Sequence, residues 1–379
     1  MKLIERLQCA VTGARDLEPL HEFKDFPVFM GCVDTPFEQD VKVDMAWSIS
    51  RSSGLIQLRY LLPLDVLYQA SHGSGAVGAL WERHHSEFAS FISQFAPRNI
   101  LEVGGGHGVL ASKYCNSVAG SQWTIVEPNP SPVPGCPATF YKGFFDGNFV
   151  PPNKVDAFVH SHVFEHIYEP HDFVKNIARI LEKGDLLIFS IPNMQVMLER
   201  MYTNCINFEH TIFLTEPYIE FLLSNSGFRL IEKKYFLDDH SIFYAWSRSD
   251  HGVIPPLRER LYDENRRLYL QYIKYHQDLV SDLNECISNS KGPVFLFGGH
   301  VFSQYLINMG LNAERIIGIL DNDTRKHGRR LYGTRLIVSS PKVLAGLRNV
   351  SVILKAGVYN EEIRADIVSN INSTVLFLE

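Results

Sequence analysis

The stretch Asn99-Ile-Leu-Glu-Val-Gly-Gly-Gly-His-Gly-Val-Leu110 constrains this chain more than any other. An apolar run of strand length enters a glycine turn and leaves it on an apolar helix start. Glycines at 104, 106 and 108 make a backbone cradle: a side chain there would block close approach of a ligand, and free amides at a helix start favour polar or anionic groups. Position 109 is Val, so the dinucleotide spacing G-x-G-x-x-G fails. A second strand, Trp123-Thr-Ile-Val-Glu-Pro128, ends in an acid roughly 20 residues past the turn, where a carboxylate can bind both hydroxyls of a ribose. Glu102, Gly104, Gly106, Gly108, Glu127 and Pro128 are therefore expected to line one site.

At 379 residues the chain is long enough for two or three domains. It is 45% hydrophobic with a net charge of -6 and no basic tail, which argues against nucleic acid as a partner. The start Met1-Lys-Leu-Ile-Glu-Arg-Leu7 carries charges among its apolar residues, unlike a secretion signal, and no run of about 18 apolar residues occurs. The expectation is a cytoplasmic protein with no membrane association. Six widely spaced cysteines without a C-x-x-C pair read as buried free thiols.

Residues 1–70 alternate short apolar runs with turn formers and read as a small β-rich module. Residues 71–250 alternate strands and helices, as a doubly wound α/β sheet does. Ser71-His-Gly-Ser-Gly75 reads as a flexible loop, with His72 either solvated or within reach of a ligand. Residues 251–379 begin with a charged helical stretch from Leu257 and continue into a further α/β unit. There the strand Pro293-Val-Phe-Leu-Phe-Gly-Gly-His300 enters another glycine turn, and Ile316-Ile-Gly-Ile-Leu-Asp321 again ends in an acid. Binding and purely architectural roles both remain open for that unit.

Ligands in such sheets bind at the carboxyl ends of the strands. Glu102, Glu127, His160 to His166 and Asn193 thus converge on one rim, with His162 grouped among the cofactor residues. Phe144 and Phe145 lie where adenine could stack, or belong to the core. His162-Val-Phe-Glu-His166 fits the metal pattern H-x-x-E-H, but it sits where a strand exits into a turn and lacks a third ligand, so no metal is expected. Glu209-His210 pairs an acid with a histidine that can act as a general base, or can be a structural hydrogen bond.

The glycine turn with Glu102 and Glu127 resembles the S-adenosylmethionine (SAM) site of class I methyltransferases. Over nearly the whole chain, the order of parts is similar to the sugar C-methyltransferases that act on nucleotide-linked keto-deoxysugars. The likeness extends to Phe297-Gly-Gly-His300, Leu320-Asp-Asn-Asp-Thr-Arg-Lys-His-Gly328, Ser340-Pro341 and Tyr359-Asn-Glu-Glu-Ile363. It implies a class I methyltransferase sheet between an N-terminal zinc-type module and a C-terminal Rossmann-like domain that helps hold a nucleotide sugar. It also implies SAM as cofactor, His210 with Glu209 as base, and His166 as the active-site histidine after the third strand.

The departures are specific. The family's zinc cysteines fall near Cys9, Thr12, Ser50 and Ser53, so three of four ligands are missing and no zinc is expected. The family's Tyr-His before the Glu-His pair is Asn207-Phe208 here, and its tyrosine-rich loop is Ser71-His-Gly-Ser-Gly75. Both changes are expected to touch substrate-facing positions. O-methylation of a sugar or another small polar metabolite, and a non-catalytic SAM-binding subunit, are the alternatives. Oligomeric state is left open.

Overall fold

The computed structural model describes residues 1–68, 78–250 and 255–379. Its centre is a seven-stranded sheet made of β1 (Asn99–Val103), β2 (Gln122–Glu127), β3 (Thr139–Lys142), β4 (Ala157–Ser161), β5 (Leu186–Pro192), β6 (Phe228–Phe236) and β7 (Ser241–Arg248). The strand order is β6-β7-β5-β4-β1-β2-β3. All neighbours from β5 to β3 run parallel, and β7 is antiparallel to both β5 and β6. Strands β4 and β5 read as continuous apolar runs because helices cover both faces, leaving no solvent side for alternation.

The covering helices follow from spacing. In α3 (Pro170–Ile180) the buried positions are Pro170, Phe173, Val174 and Ile177, one stripe at helical period, and the proline sits in the first turn where its missing N–H costs nothing. Helices α1 (Ala79–Ser93) and α2 (Val109–Ser117) cover one face of the sheet, burying Phe88, Phe91, Leu110 and Tyr114 with Ile100, Ile125 and Phe243.

The N-terminal segment forms an antiparallel sheet of Leu17–Pro27, Lys42–Ser50 and Ile56–Leu58. The positions that the sequence reading equates with zinc ligands come together in it, joined by hydrogen bonds. Cys9 Sγ lies 3.3 Å from Ser53 Oγ, the Thr12 amide donates to Cys9 Sγ at 3.4 Å, and Ser50 Oγ accepts from the Ser53 amide and donates to Asp16.

Helix α4 (Met194–Glu199) follows β5, and α5 (Glu216–Asn225) precedes β6. A 29-residue helix, α6 (Leu261–Asn289), then carries the chain away. Its stripe Tyr269, Tyr272, Ile273, His276, Leu279, Val280, Leu283 and Ile287 is buried in a core shared with N-terminal Phe23, Phe26 and Trp47 and with the last α/β unit. That unit is an all-parallel sheet of β8 (Val294–Phe297), β9 (Ile316–Leu320), β10 (Val338–Ser339), β11 (Ser351–Ile353) and β12 (Leu376–Leu378), ordered β10-β9-β8-β11-β12. Past Leu17–Pro27 the chain bends away, and Cys32–Val33 pairs antiparallel with Arg330–Leu331, about 300 residues further along. Beside it the Arg330 guanidinium grips Asp40 at 2.5 and 2.6 Å. Among the described residues no helix is long and apolar enough to cross a membrane.

Candidate active site

Strand β1 delivers the glycine turn to the sheet's rim. Gly104 has φ +78° and Gly108, the residue before α2, has φ +66°, both in the region that favours glycine. A Cβ on Gly104 would lie 2.5 Å from Val163, and one on Gly108 would lie 2.3 Å from Cys136 Sγ. Among the described residues a Cβ at Gly106 would meet only Glu127 Oε2, at 3.9 Å, so against them the space over this residue is open and bounded by that carboxylate. This is the cradle a ligand needs. Gly105 plays a part that the alternate-glycine reading did not assign: its Cβ would strike the Glu102 carboxyl carbon at 2.6 Å. The run of three glycines was the available signal.

Glu102 therefore lies beneath the turn. It is buried, accepts a hydrogen bond from the Trp123 indole at 2.7 Å, and burial pushes its pKa up to about 8. Glu127 faces outward at the end of β2, where Oε1 accepts from the Asn129 amide at 2.9 Å and Pro128 turns the chain. The two aromatic candidates separate: Phe145 packs on Phe158 and Phe173 in the core, whereas Phe144 is 49% exposed and meets Tyr68 at 6.2 Å. His72 and Ser71–Gly75 lie outside the described residues.

The exit of β4 carries the histidines. His162 has φ +53°, uncommon for a side-chain-bearing residue, and the chain then makes only one short turn, Phe164–His166. No helical face presents His162 and His166 together, as the metal pattern requires; each instead has two further possible ligands beside it, His84 and His240 for His162 and Glu165 and His210 for His166, with the ligand atoms of each group within 4.8 Å of one another. His162 and His166 flank Glu165, at 3.7 Å from His162 Nδ1 and 3.6 Å from His166 Nε2. His162 joins His84 and His240 around Trp81. Ser241 Oγ contacts both His162 Nε2 at 2.9 Å and His240 Nδ1 at 2.6 Å, while Ser190 Oγ contacts His84 Nε2 at 2.9 Å. Burial lowers the pKa of all three, His240 to about 4, so they are neutral. Trp81 and His84 on α1 and His240 in the β6–β7 turn are rim residues that the sequence did not single out.

Adjacency in sequence misassigned one partnership. Glu209 was expected to steer His210, yet Glu209 Oε2 lies 3.6 Å from His166 Nδ1. His210 is steered by a carbonyl, its Nδ1 donating to the oxygen of Cys205 at 3.0 Å, which leaves Nε2 with a lone pair. The rings of His166 and His210 stand 5.4 Å apart, edge to face, and Tyr68 Oη lies 3.4 Å from His166 Nδ1. The two imidazoles are pushed opposite ways. Burial and neighbouring His166 hold His210 below the usual histidine value, whereas at His166 the carboxylates of Glu165 and Glu209 outweigh burial and raise it.

Asn207 and Phe208 are also corrected. Both are buried: Asn207 Oδ1 takes the amides of Glu209 and His210 at 2.8 Å each, and Phe208 packs edge-on against Phe26. They shape the loop from inside rather than facing a substrate. Asn193 is likewise occupied, capping α4 and donating to Asp238. Tyr359 of the last α/β unit interacts with Trp81, which brings that unit to this rim.

Residues 80–233 match the family model described as "Methyltransferase domain". With the sheet order above, this segment is a class I SAM-dependent methyltransferase fold. The chain is 23% identical over 197 residues to the C-methyltransferase NovU of Streptomyces niveus, covering 48% of this chain and 47% of that protein. It is 32% identical over 104 residues to an uncharacterized methyltransferase of Mycobacteroides abscessus, covering 24% of this chain and 39% of the other. The chain thus spans less than half the length of these curated relatives. Among solved structures, human N-acetylserotonin methyltransferase in complex with SAM aligns at 15% identity and TM-score 0.40, over 50% of this chain and 60% of that one.

Proposed function

We propose that this protein is a SAM-dependent methyltransferase whose acceptor is a nucleotide-linked keto sugar, methylated on carbon beside the ketone. The open cradle over Gly106, with Glu127 at its edge and Phe144 exposed nearby, fits SAM: methionine end over the turn, ribose on Glu127, adenine near Phe144. When bound there, SAM supplies an electrophilic methyl, and its sulfur departs with the bonding pair as a thioether.

The chain's own residues do the rest. His210 Nε2 takes the proton from the carbon next to the ketone; that C–H pair becomes the C=C bond of an enolate, and the carbonyl pair moves onto oxygen. His166, beside His210, stabilises that oxygen. As the enolate carbon forms its bond to the methyl, the ketone is restored and His210 returns its proton to solvent. A positioned base contributes about 10²- to 10⁴-fold to such a step, and alignment contributes the remainder.

The observation that carries this reading is the contrast between the two histidines: a neutral His210 with a free nitrogen stands against His166 flanked by two carboxylates. Opposed pKa shifts in adjacent groups mark an acid–base pair. The NovU similarity supports the choice of carbon. The test is incubation with SAM and a panel of nucleotide-linked 4-keto and fully hydroxylated sugars, with the methyl located by mass spectrometry and NMR. A carbon-bound methyl next to the ketone is expected. A methyl ether would replace the enolate by base-assisted O-transfer, and SAM binding without turnover on any acceptor would favour a non-catalytic subunit.

A further inference from the structure

Glu165 has no part in the scheme above, yet its carboxylate is fully buried. It is 0% exposed, and among the described residues neither oxygen has a partner at hydrogen-bond distance, the nearest ring nitrogens standing at 3.6 and 3.7 Å. A buried carboxylate in that condition is costly unless a cation stands beside it. Among the described residues, the groups within 4 Å that can carry positive charge are His162 and His166. His162 is an unsuitable partner, since it is packed among His84, His240 and Trp81, and any charge on it would face two further imidazoles.

His166 is differently placed. Glu165 faces it from its own turn, Glu209 and His210 face it from the loop before α5, and Tyr68 faces it from the end of the N-terminal segment. Two carboxylates lie 3.6 Å from opposite nitrogens of one ring. The Tyr68 phenol, its pKa driven up by burial and the surrounding carboxylates, adds no charge.

We infer that Glu165 is a positioning residue: together with Glu209 it holds His166 as an imidazolium beside the free nitrogen of His210, so that acid and base are set before the acceptor arrives. The chemistry of the acceptor follows, resting on the function proposed above. A fixed cation next to a neutral base gains most from an oxygen that becomes negative while a proton leaves the adjacent carbon, which describes a ketone with an acidic C–H. A plain hydroxyl needs the base alone.

The experiment is a pH titration of the His166 ring by NMR in the full-length protein bound to S-adenosylhomocysteine, assigned by loss of its signals in His166→Gln. In the parent protein the ring should remain protonated at pH 7. In Glu165→Gln its titration should move down by at least about one pH unit, the scale of removing one opposite charge at this range. Turnover should fall about 10- to 100-fold with SAM affinity unchanged, and Glu165→Asp should recover part of both. An unchanged titration, or a His166 ring neutral at pH 7 in the parent, overturns the inference. Should Glu165→Gln lose its near-UV spectrum, Glu209→Gln provides the same reading from the other side of the ring. The titration needs no acceptor, so failure to methylate any nucleotide sugar would overturn the proposed function and leave this inference standing.

Discussion

This chain contains two glycine turns of nearly the same design, and they have opposite fates. Each follows the first strand of a parallel sheet, and each is followed by a second strand ending in an acid: Gly104–Gly108 with Glu127, and Gly298–Gly299 with Asp321. In the central sheet a side chain on Gly106 would enter space bordered, among the described residues, only by Glu127. In the C-terminal sheet Asp321 is turned inward, accepting the Gly299 amide at 2.8 Å and Lys326 Nζ at 2.9 Å. Cys32 of the N-terminal segment lies against the same turn, its thiol donating to the Gly299 carbonyl at 3.1 Å, and a Cβ on Gly299 would find Cys32, Asp321 and Val338 all within 3.3 Å. An acid after the second strand marks a ligand site only when the turn's own amides have not already taken it. The second turn has become a joint that seats the N-terminal segment on the last domain.

The largest effect expected from this contrast is at the turns themselves. Gly105→Val drives a side chain into the Glu102 carboxyl and should cost about 3 kcal/mol of stability and abolish measurable SAM binding; Gly299→Val should cost a similar amount yet leave SAM affinity unchanged, as read by thermal melts and calorimetry. Loss of SAM binding in the second variant would break the comparison. Next come the acids. Glu127→Ala should weaken SAM about 10- to 100-fold, the scale of losing charge-assisted hydrogen bonds, whereas Asp321→Ala should lower the melting temperature without moving SAM affinity.

A smaller, pH-dependent effect sits under the first turn. Glu102 keeps its proton in the folded protein up to about pH 8, while the unfolded chain releases it near 4.5, so stability falls as pH rises through that window, on the order of 1 kcal/mol per unit at most. Glu102→Gln should flatten this slope, as measured by urea melts from pH 5 to 8. The smallest effect on activity is expected at the N-terminal knuckle. The triple change Thr12→Cys, Ser50→Cys and Ser53→Cys, with Cys9 in place, should bind one zinc by metal analysis and leave methyl transfer unaltered, whereas the parent should carry none.

Much of the site was legible along the chain. Glycine spacing singled out the candidate cradle, the strand-ending Glu127 its candidate edge, and His166, Glu209 and His210 were selected from loops that the structure brings side by side. What was not legible was which group faces which. Glu209 and His210 are consecutive, but in an irregular loop consecutive side chains leave the backbone in different directions, and the neighbour each meets is set by the exit of β4, some 40 residues earlier in the chain. For the same reason Asn207 and Phe208 looked substrate-facing and proved internal, and Phe144 and Phe145, adjacent and alike, divided between rim and core.

The sequence by itself determined that a doubly wound α/β sheet would form and where its first turn could accept a ligand, because strand and helix periods and the absence of side chains at glycine are local properties. Only the tertiary structure decided that the first turn stays open and the second is closed, and that His166 rather than His210 receives the carboxylates. These outcomes depend on contacts between segments far apart in the chain, where burial removes water and leaves each buried charge to find its partner within the protein.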